Sequence, residues 1–269
     1  MSAETVPALE TGWEPDTPAG DTLLRHGVQA LTATWEVIGQ AGRLLRDHRF
    51  SAVDLGRSTG LFNSAVLLQP VHGGAFATTV GRIERFYDGH GTGAALLWSP
   101  WPSPDLSHRG WVLQGHPPLL YRPAGLPVER RCPADLEVVE VTAERELAEW
   151  CAVAVDAFPL AEVHAPAGLF DPVVLADGRT RFVAGRASGR TVAVGCQVVV
   201  EDANVLLLST TRGDARGRGY YSALVADRLA AAAQLPSVTV VSDDSRPVLV
   251  DRFGFLPVTR FTLWERGRA

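Results

Sequence analysis

The most informative part of the sequence is residues 205–221, which read VLLLSTTRGDARGRGYY. Residues 205–211 have the length and apolar composition of a buried strand. Residues 212–219 are rich in Gly and Arg, and an amphipathic helix is predicted to begin at Tyr220. The segment therefore reads as a strand, a tight glycine-rich loop and a helix.

This arrangement is typical of a site that binds phosphate. A helix N-terminus presents unpaired N–H groups and a partial positive charge, and glycines let the backbone come close to an anion. Arg216 and Arg218 add positive charge beside those amides. The loop is predicted to bind a phosphate group, and specifically a pyrophosphate.

Two kinds of nucleotide compete for such a loop. A dinucleotide fingerprint requires G-x-G-x-x-G; Gly217 and Gly219 are present, but Ser222 occupies the third glycine position. Asp243 or Asp244 lies near the place where a ribose-binding carboxylate is expected. However, three strands are predicted before the loop, whereas a dinucleotide-binding unit normally opens with it. The alternative ligand is coenzyme A.

The loop resembles the pyrophosphate loop of the GNAT superfamily of acyl-CoA-dependent acyltransferases, whose pattern is [Q/R]-x-x-G-x-[G/A]. Arg216 and Gly219 match the pattern, and Tyr221 departs from it at the last position. Residues 207–211 resemble the splayed fourth strand of that family, and residues 253–255 (Phe-Gly-Phe) resemble its Gly-Phe turn. The resemblance covers the C-terminal half of the chain.

The resemblance implies a binding mode for acetyl-CoA or another acyl-CoA. Backbone groups near Thr210 and Thr211 would pair with pantetheine as an added strand, and amides from Arg216 to Tyr221 would hold the pyrophosphate. The thioester would lie where two parallel strands part, and an amine would attack it there. The cofactor-binding residues expected on this basis are Ser209, Thr210, Thr211, Arg216, Gly217, Arg218, Gly219, Tyr220, Tyr221 and Ser222.

The catalytic residues follow less directly from the resemblance. Many family members carry a Tyr four residues before the Gly of the Gly-Phe turn, where it protonates the leaving thiolate, but this sequence has Val250 there. No Glu lies on residues 205–211 to act as a base. The candidate acids and bases are Glu162, His164, Asp243 and Tyr221.

The predicted elements give an α/β (α+β) fold with a mixed, mostly antiparallel sheet and flanking helices, in a tandem GNAT-like arrangement. The expected organisation is a mobile tail (1–20), a degenerate GNAT-like domain (21–125), a linker (126–135) and an acyl-CoA-binding domain (136–269). Residues 109–121 echo residues 249–264, which indicates a weak internal duplication. Residues 255–264 are expected to form a single final strand.

Composition excludes several classes of protein. All 25 basic residues of the 269-residue chain are Arg, so chemistry that needs a lysine amine is excluded. The net charge of −5 gives no general attraction to nucleic acid or to anionic membranes. Three cysteines without a CxxC, and seven His without HxH or HExxH, predict neither a disulfide framework nor a metal site. No apolar run suggests a signal peptide or a membrane span, so a cytoplasmic location is expected.

The sequence leaves several functions open. Residues 56–60 match the G-x-S-x-G nucleophile elbow, but no His follows His164 to complete a hydrolase triad. The expected activity is transfer of an acetyl group from acetyl-CoA to a primary amine. The acceptor is expected to be a small molecule, because a closed cleft between two halves suits one. A silent acyl-CoA sensor or scaffold, or a different acyl-CoA reaction, remains an alternative; the oligomeric state is open.

Overall fold

The structure is a computed structural model that describes residues 22–56, 60–89, 94–157 and 169–267. Its strands form two sheets, one of six and one of seven described strands. The first sheet contains β1 (Arg43–Arg46), β2 (Phe50–Asp54), β3 (Ser64–Leu67), β4 (Ala95–Ser99), β5 (Trp111–Gly115) and β13 (Thr262–Arg266). The second sheet contains β6 (Pro118–Arg122), β7 (Glu137–Glu140), β8 (Thr180–Ala187), β9 (Arg190–Val200), β10 (Ala203–Thr211), β11 (Ser237–Val240) and β12 (Leu256–Arg260).

The two sheets have the same pattern of strand pairing. The first runs β1-β2-β3-β4-β13-β5, and the second runs β8-β9-β10-β11-β6-β12, with β7 added at its edge. In each sheet the third and fourth of these six strands are parallel, and the other four pairings are antiparallel. The predicted mixed, mostly antiparallel fold class is therefore confirmed.

The sheets also exchange strands. β6 belongs to the N-terminal part of the chain but lies between β11 and β12 of the second sheet. β13 is the last strand of the chain but lies between β4 and β5 of the first sheet. Each sheet therefore takes a central strand from the other side of the predicted linker, and the domain boundaries assigned from the sequence stay a prediction.

Among the described residues, four α-helices pack on these sheets: α1 (Thr22–Ile38), α2 (Gly73–Asp88), α3 (Glu144–Ala157) and α4 (Tyr220–Ala231). α2 covers one face of the first sheet. α1 lies between the sheets, where its buried face packs against apolar residues of both. α3 shares that apolar core, whereas α4 covers the opposite face of the second sheet. The space between the two sheets is therefore walled partly by α1.

Alternation along β10 explains this layering. Val205 and Leu207 point into the core with α1 and α3, while Leu206 points into the core with α4. Successive side chains of a strand point to opposite faces, so an unbroken apolar run is the pattern of a strand buried on both sides. The prediction of a buried strand ending at Thr211 is confirmed.

The prediction of one strand over residues 255–264 is wrong. β12 ends at Arg260 and β13 begins at Thr262, and the two strands belong to different sheets. Phe261 lies fully buried between them, and its N–H donates to the Pro117 carbonyl at 3.0 Å. Both strands consist largely of residues that favour β-structure, so no change in composition marks the point at which the chain crosses from one sheet to the other.

Short helical turns complete the chain. They include the turns at Pro172–Ala176 and Val248–Arg252. Within the described residues, none of the helices has both the length and the apolar character needed to cross a bilayer. Three segments named in the sequence analysis lie outside the described residues: the predicted tail (1–20), part of the G-x-S-x-G segment, and residues 158–168, which include Glu162 and His164.

Candidate functional site

The two parallel strands β10 and β11 separate within the second sheet. They pair only over residues 204–206 of β10 and 237–239 of β11. At the last pair, the Thr239 hydroxyl donates to the Leu206 carbonyl at 2.9 Å. Beyond Leu206, the edge of β10 that faces β11 has no paired strand among the described residues. No described strand therefore pairs with the backbone N–H and C=O groups on that edge of β10.

A β-bulge turns β10 at the same place. Its register against β9 shifts between Leu207 and Thr210, so Leu208 and Ser209 lie opposite the single residue Gly195. Leu208 has a φ of 47°, a left-handed conformation that a branched apolar residue rarely adopts. A bulge bends its strand and increases the local twist, which directs the end of β10 away from β11.

A buried arginine of α4 holds this bulge in place. Arg228 is fully buried, and its guanidinium donates to the carbonyls of Cys196 (2.8 Å) and Leu207 (3.4 Å) and to Ser209 Oγ (2.7 Å). A Cβ atom on Gly195 would lie 2.6 Å from the guanidinium carbon, so glycine makes room for it. Burial lowers the pKa of Arg228 from 12.5 to about 10, which still leaves it charged at neutral pH.

The loop after β10 ends at an uncapped helix N-terminus. Gly217 and Gly219 have φ values of 77° and 82°, which glycine adopts without strain. Gly219 is the residue before α4, and no side chain in the described structure caps the helix there. The Ala223 N–H bonds to the Gly219 carbonyl at 3.0 Å, so the amides of residues 220–222 precede the hydrogen-bond ladder of α4. These amides suit an anion.

The two arginines predicted for the loop point to different places. Arg216 Nε donates to the Thr211 carbonyl at 3.2 Å, and this residue lines the main cleft. Arg218 lines a separate pocket of about 240 Å³ together with Asp214 and Arg190, which form an ion pair at 2.6 Å. Only Arg216 therefore places its charge at the main cleft.

The two tyrosines that begin α4 also differ. Tyr220 is buried, and its hydroxyl donates to the Asp135 carboxylate, which raises the Tyr220 pKa. Tyr221 lines the cleft, is partly buried and hydrogen-bonds with the Ser245 hydroxyl. Burial raises the pKa of Tyr221, so its phenol stays protonated at neutral pH.

A single cleft of about 1240 Å³ joins these features to the first sheet. From the second sheet it is lined by residues 206–211 of β10, by the last two residues of β11 (239–240) and by residues 241–242, which follow β11. From α1 and the first sheet it is lined by Leu31, Trp35, Leu96, Trp98, Gln114, Leu263 and Glu265. The separated strands, the loop and the first sheet thus share one cavity.

Most of the expected cofactor-binding residues border this cleft: Ser209, Thr210, Thr211, Arg216, Gly217, Gly219, Tyr220 and Tyr221. Ser222 lies in the first turn of α4 with its side chain buried and outside the cleft lining, and Arg218 lies in the smaller pocket. The structure therefore brings eight of the ten expected residues together at one cleft, with Arg218 and Ser222 outside its lining.

The catalytic candidates are distributed differently. Asp243 forms an exposed ion pair with Arg260 at 2.7 Å, which lowers the Asp243 pKa, while its neighbours Ser242 and Asp244 line the cleft. Tyr221 is the one candidate that the described residues place in the cleft lining. Glu162 and His164 lie outside the described residues, so their roles stay predictions.

Sequence reasoning missed Arg228 and Trp35. Arg228 interrupts the apolar face of α4 between Leu224 and Leu229, and a charge at such a position is a signal of a buried polar contact. Trp35 belongs to α1, a helix that was not predicted. The buried apolar residues of α1 recur every three or four positions, which is a helical period; they include Leu24, Val28, Leu31, Trp35 and Ile38.

The fold is that of solved GCN5-related N-acetyltransferases. The structure of such a protein from Kribbella flavida matches with a TM-score of 0.62 at 16% identity, over 89% of this chain and 95% of that one. One from Sphaerobacter thermophilus matches with a TM-score of 0.53 at 14% identity, over 81% and 76%. A GCN5-related N-acetyltransferase-like protein from Streptococcus suis matches with a TM-score of 0.52 at 15% identity, over 92% and 99%.

At these identities the likeness establishes the fold and no more. No protein-family model matches the sequence, and no curated protein matches it. The GNAT-like fold inferred from residues 205–221 is confirmed by the solved structures.

Proposed function

We propose that this protein moves an acetyl group from acetyl-CoA to a primary amine of a small molecule. One observation carries the proposal: β10 and β11 separate beside an uncapped, glycine-preceded helix N-terminus, and both features open into one cleft. An unpaired strand edge suits an amide-containing chain, and the helix N-terminus suits a pyrophosphate. Pantetheine joined to a diphosphate contains both groups.

The residues present fit that ligand. The amides of residues 220–222 and the Arg216 guanidinium would hold the diphosphate, and the free edge of β10 would pair with the pantetheine amides. Thr211 Oγ1 is buried without a hydrogen-bond partner among the described residues, next to this edge. Bound acyl-CoA would supply an activated acyl thioester.

The side chains of the cleft then handle protons. Acyl transfer forms a C–N bond and breaks a C–S bond, so one proton leaves the amine and one reaches the sulfur. Tyr221 is protonated at neutral pH because burial raises its pKa, and it can donate its Oη proton to the leaving sulfur. Tyr221 would take the role of the tyrosine that many family members carry at the position of Val250. Asp244 and Glu265 border the same cleft and can accept the proton of an ammonium group.

Isothermal titration with acetyl-CoA tests the binding step. Arg216→Ala removes a charged donor from the cleft and is expected to raise Kd about ten- to a hundredfold, because hydrogen bonds to charged groups contribute about 1.5–3 kcal/mol. Arg218→Ala is the matched control: it removes the same charge from the same loop but from the smaller pocket. Absence of binding to the wild-type protein, or equal losses in both variants, would overturn the proposed site.

Release of free thiol from acetyl-CoA in the presence of pooled amines tests turnover. The presence of Val250 at the usual acid position favours one rival, a silent acyl-CoA sensor. Tight binding without thiol release would support the sensor. Thiol release without an N-acetylated product in the mass spectrum would indicate a different acyl-CoA reaction.

A further inference from the structure

Arg228 makes its hydrogen bonds at the part of β10 that borders the cleft. Its guanidinium donates to the Leu207 carbonyl and to Ser209 Oγ, so it contacts the residues on both sides of Leu208. Leu207, Leu208 and Ser209 all line the cleft. The buried cation therefore lies against the same segment of β10 that a ligand in the cleft would meet on its other side.

The direction of one peptide bond follows from these contacts. The Leu206 carbonyl accepts the Thr239 hydroxyl at 2.9 Å and so faces β11. The next carbonyl along the strand, that of Leu207, points the opposite way, toward β9 and Arg228. The peptide bond between Leu207 and Leu208 is trans, so the Leu208 N–H points away from Arg228. This N–H is therefore directed to the β11 side, where no described strand pairs with β10 beyond Leu206.

The charge of Arg228 is not neutralised by an ion pair among the described residues. The neighbouring carboxylate, Asp227, pairs instead with Arg181 at 2.8 Å. The other ionisable groups that act on Arg228 are the Tyr221 phenol and the Cys196 thiol, and burial raises the pKa of both, so both are uncharged at neutral pH. A buried charge acts over several ångströms in a low-dielectric interior, so its field reaches the cleft.

Burial of an arginine does not by itself indicate a role in the reaction. Arg122 is also buried, and it donates to the carbonyls of Phe253 (2.6 Å), Leu126 (2.9 Å) and Pro127 (3.1 Å). None of these residues lines the cleft. Arg228 differs from Arg122 because the backbone that it contacts borders the proposed site of acyl transfer.

We propose that Arg228 is a positioning residue for acyl transfer: it directs the Leu208 N–H toward the thioester oxygen, and its charge makes that N–H a stronger donor. The inference rests on the proposed function. A cation near the carbonyl of a peptide polarises the whole unit, which strengthens the N–H at the opposite end. The donor is then in place before the reaction begins.

The reaction builds negative charge at this point. When the amine nitrogen bonds to the thioester carbon, the π electron pair of the C=O bond moves onto the oxygen, where the Leu208 N–H stabilises it. The pair then re-forms the carbonyl and the C–S bond breaks. The sulfur takes the Tyr221 proton, and a carboxylate of the cleft accepts the proton that the amine loses.

Two substitutions separate the charge of Arg228 from its hydrogen bonds. Arg228→Lys keeps a positive charge, and Arg228→Gln keeps an N–H donor without the charge. Both disturb Ser209, so the Kd for acetyl-CoA is expected to rise by a similar factor in each. With pooled amines, kcat for thiol release is expected to be about ten- to a hundredfold lower in Arg228→Gln than in Arg228→Lys with its ammonium protonated.

The pH profile of Arg228→Lys gives a readout that a purely structural role would not produce. Burial lowers the pKa of an ammonium group, so kcat relative to the wild type should follow the protonated fraction of the introduced side chain. The natural chain contains no Lys, so NMR of a lysine-labelled sample reports that fraction for this one group. The ratio for Arg228→Gln should not change with pH.

Arg122→Gln is the matched control, because it removes a buried guanidinium that lies away from the cleft lining. It is expected to lose stability in urea denaturation but to keep the wild-type kcat at a temperature where it is folded. Infrared spectra of bound [1-13C]acetyl-CoA provide a second measurement, should an Arg228 variant not fold. The carbonyl stretch is expected at a lower frequency in the wild type than in Gly195→Ala, whose added Cβ would displace the guanidinium.

Equal kcat in Arg228→Lys and Arg228→Gln would overturn the role of the charge. A loss of kcat in Arg122→Gln as large as that in Arg228→Gln would overturn the specific role of Arg228, as would equal carbonyl frequencies in the wild type and Gly195→Ala. Failure of the proposed function looks different, because the wild type would then not bind acetyl-CoA or would release no thiol from it.

Discussion

Gly195→Ala tests whether Arg228 and the bulge of β10 form one unit. A Cβ atom at this position would lie 2.6, 2.7 and 2.9 Å from three atoms of the Arg228 guanidinium, whereas ordinary contact begins at 3.4 Å. The guanidinium must therefore move by about 0.8 Å, the difference between 3.4 and 2.6 Å. Its hydrogen bonds to the Cys196 carbonyl (2.8 Å) and Ser209 Oγ (2.7 Å) cannot both survive this shift.

The expected loss follows from those two hydrogen bonds. Each involves a charged donor and contributes about 1.5–3 kcal/mol, so losing both should lower the free energy of unfolding by about 3–6 kcal/mol. The displaced Ser209 borders the cleft, so the Kd for acetyl-CoA should rise as well. Urea denaturation measures the first quantity and titration calorimetry the second.

Gly178→Ala is the control for the added methyl group, because a Cβ there would meet no atom within 4 Å. Its stability is expected to stay within about 0.5 kcal/mol of the wild type. The proposed link between Arg228 and the bulge is refuted if Gly195→Ala is as stable as Gly178→Ala, or if it is unstable yet binds acetyl-CoA with wild-type affinity at a temperature where it is folded.

Three further predictions follow from individual side chains. Tyr221→Phe should lower kcat for thiol release by about a hundredfold or more without changing the Kd for acetyl-CoA. Because burial raises the Tyr221 pKa, the kcat of the wild type should not fall with increasing pH below about 10. A variant with the same kcat as the wild type would contradict the role of Tyr221 as an acid. Hydrogen bonds from Arg179 lower the pKa of Asp177 from 3.8 to about 2, so this ion pair stabilises the folded protein above pH 4 and ceases to do so as the pH falls through 2. In urea denaturation, Asp177→Asn should therefore lower the free energy of unfolding by about 1 kcal/mol at pH 7 and not at all near pH 1.5. The effect is small because Arg179 is half exposed to solvent. Burial raises the pKa of Cys196 to about 12 and Cys151 is also buried, so a thiol reagent should label Cys132 in the native protein at pH 8 and all three cysteines after unfolding; rapid native labelling of Cys196 would show that its site opens.

The local features of the second sheet could be predicted from the sequence because they depend on neighbouring residues. An apolar run predicts the strand that ends at Thr211, and helical periodicity predicts the helix that begins at Tyr220. The glycines at 217 and 219 allow the positive φ angles of the loop between them. These signals act within a few residues of one another. Eight of the ten expected cofactor-binding residues line the cleft for that reason.

The remainder depends on contacts between distant parts of the chain. No local pattern indicates that Leu263 would pair with Trp98, or that Trp35 would border the same cavity as Tyr221. Likewise, the partner of Asp243 is Arg260, a residue of the following strand, and this ion pair occupies a carboxylate that the sequence alone leaves available. The side of the cleft formed by α1 and the first sheet is therefore a product of tertiary structure.

The exchange of β6 and β13 has a consequence for how the molecule could be divided. A fragment of residues 22–125 would lack the strand that joins β4 to β5, and a fragment of residues 126–267 would lack the strand that joins β11 to β12. Neither piece should fold alone, yet each carries the strand missing from the other, so two separately produced fragments should reconstitute the protein on mixing. The molecule thus offers a natural pair for split-reporter assays, in which recovered acetyl-CoA binding signals that the pieces have met.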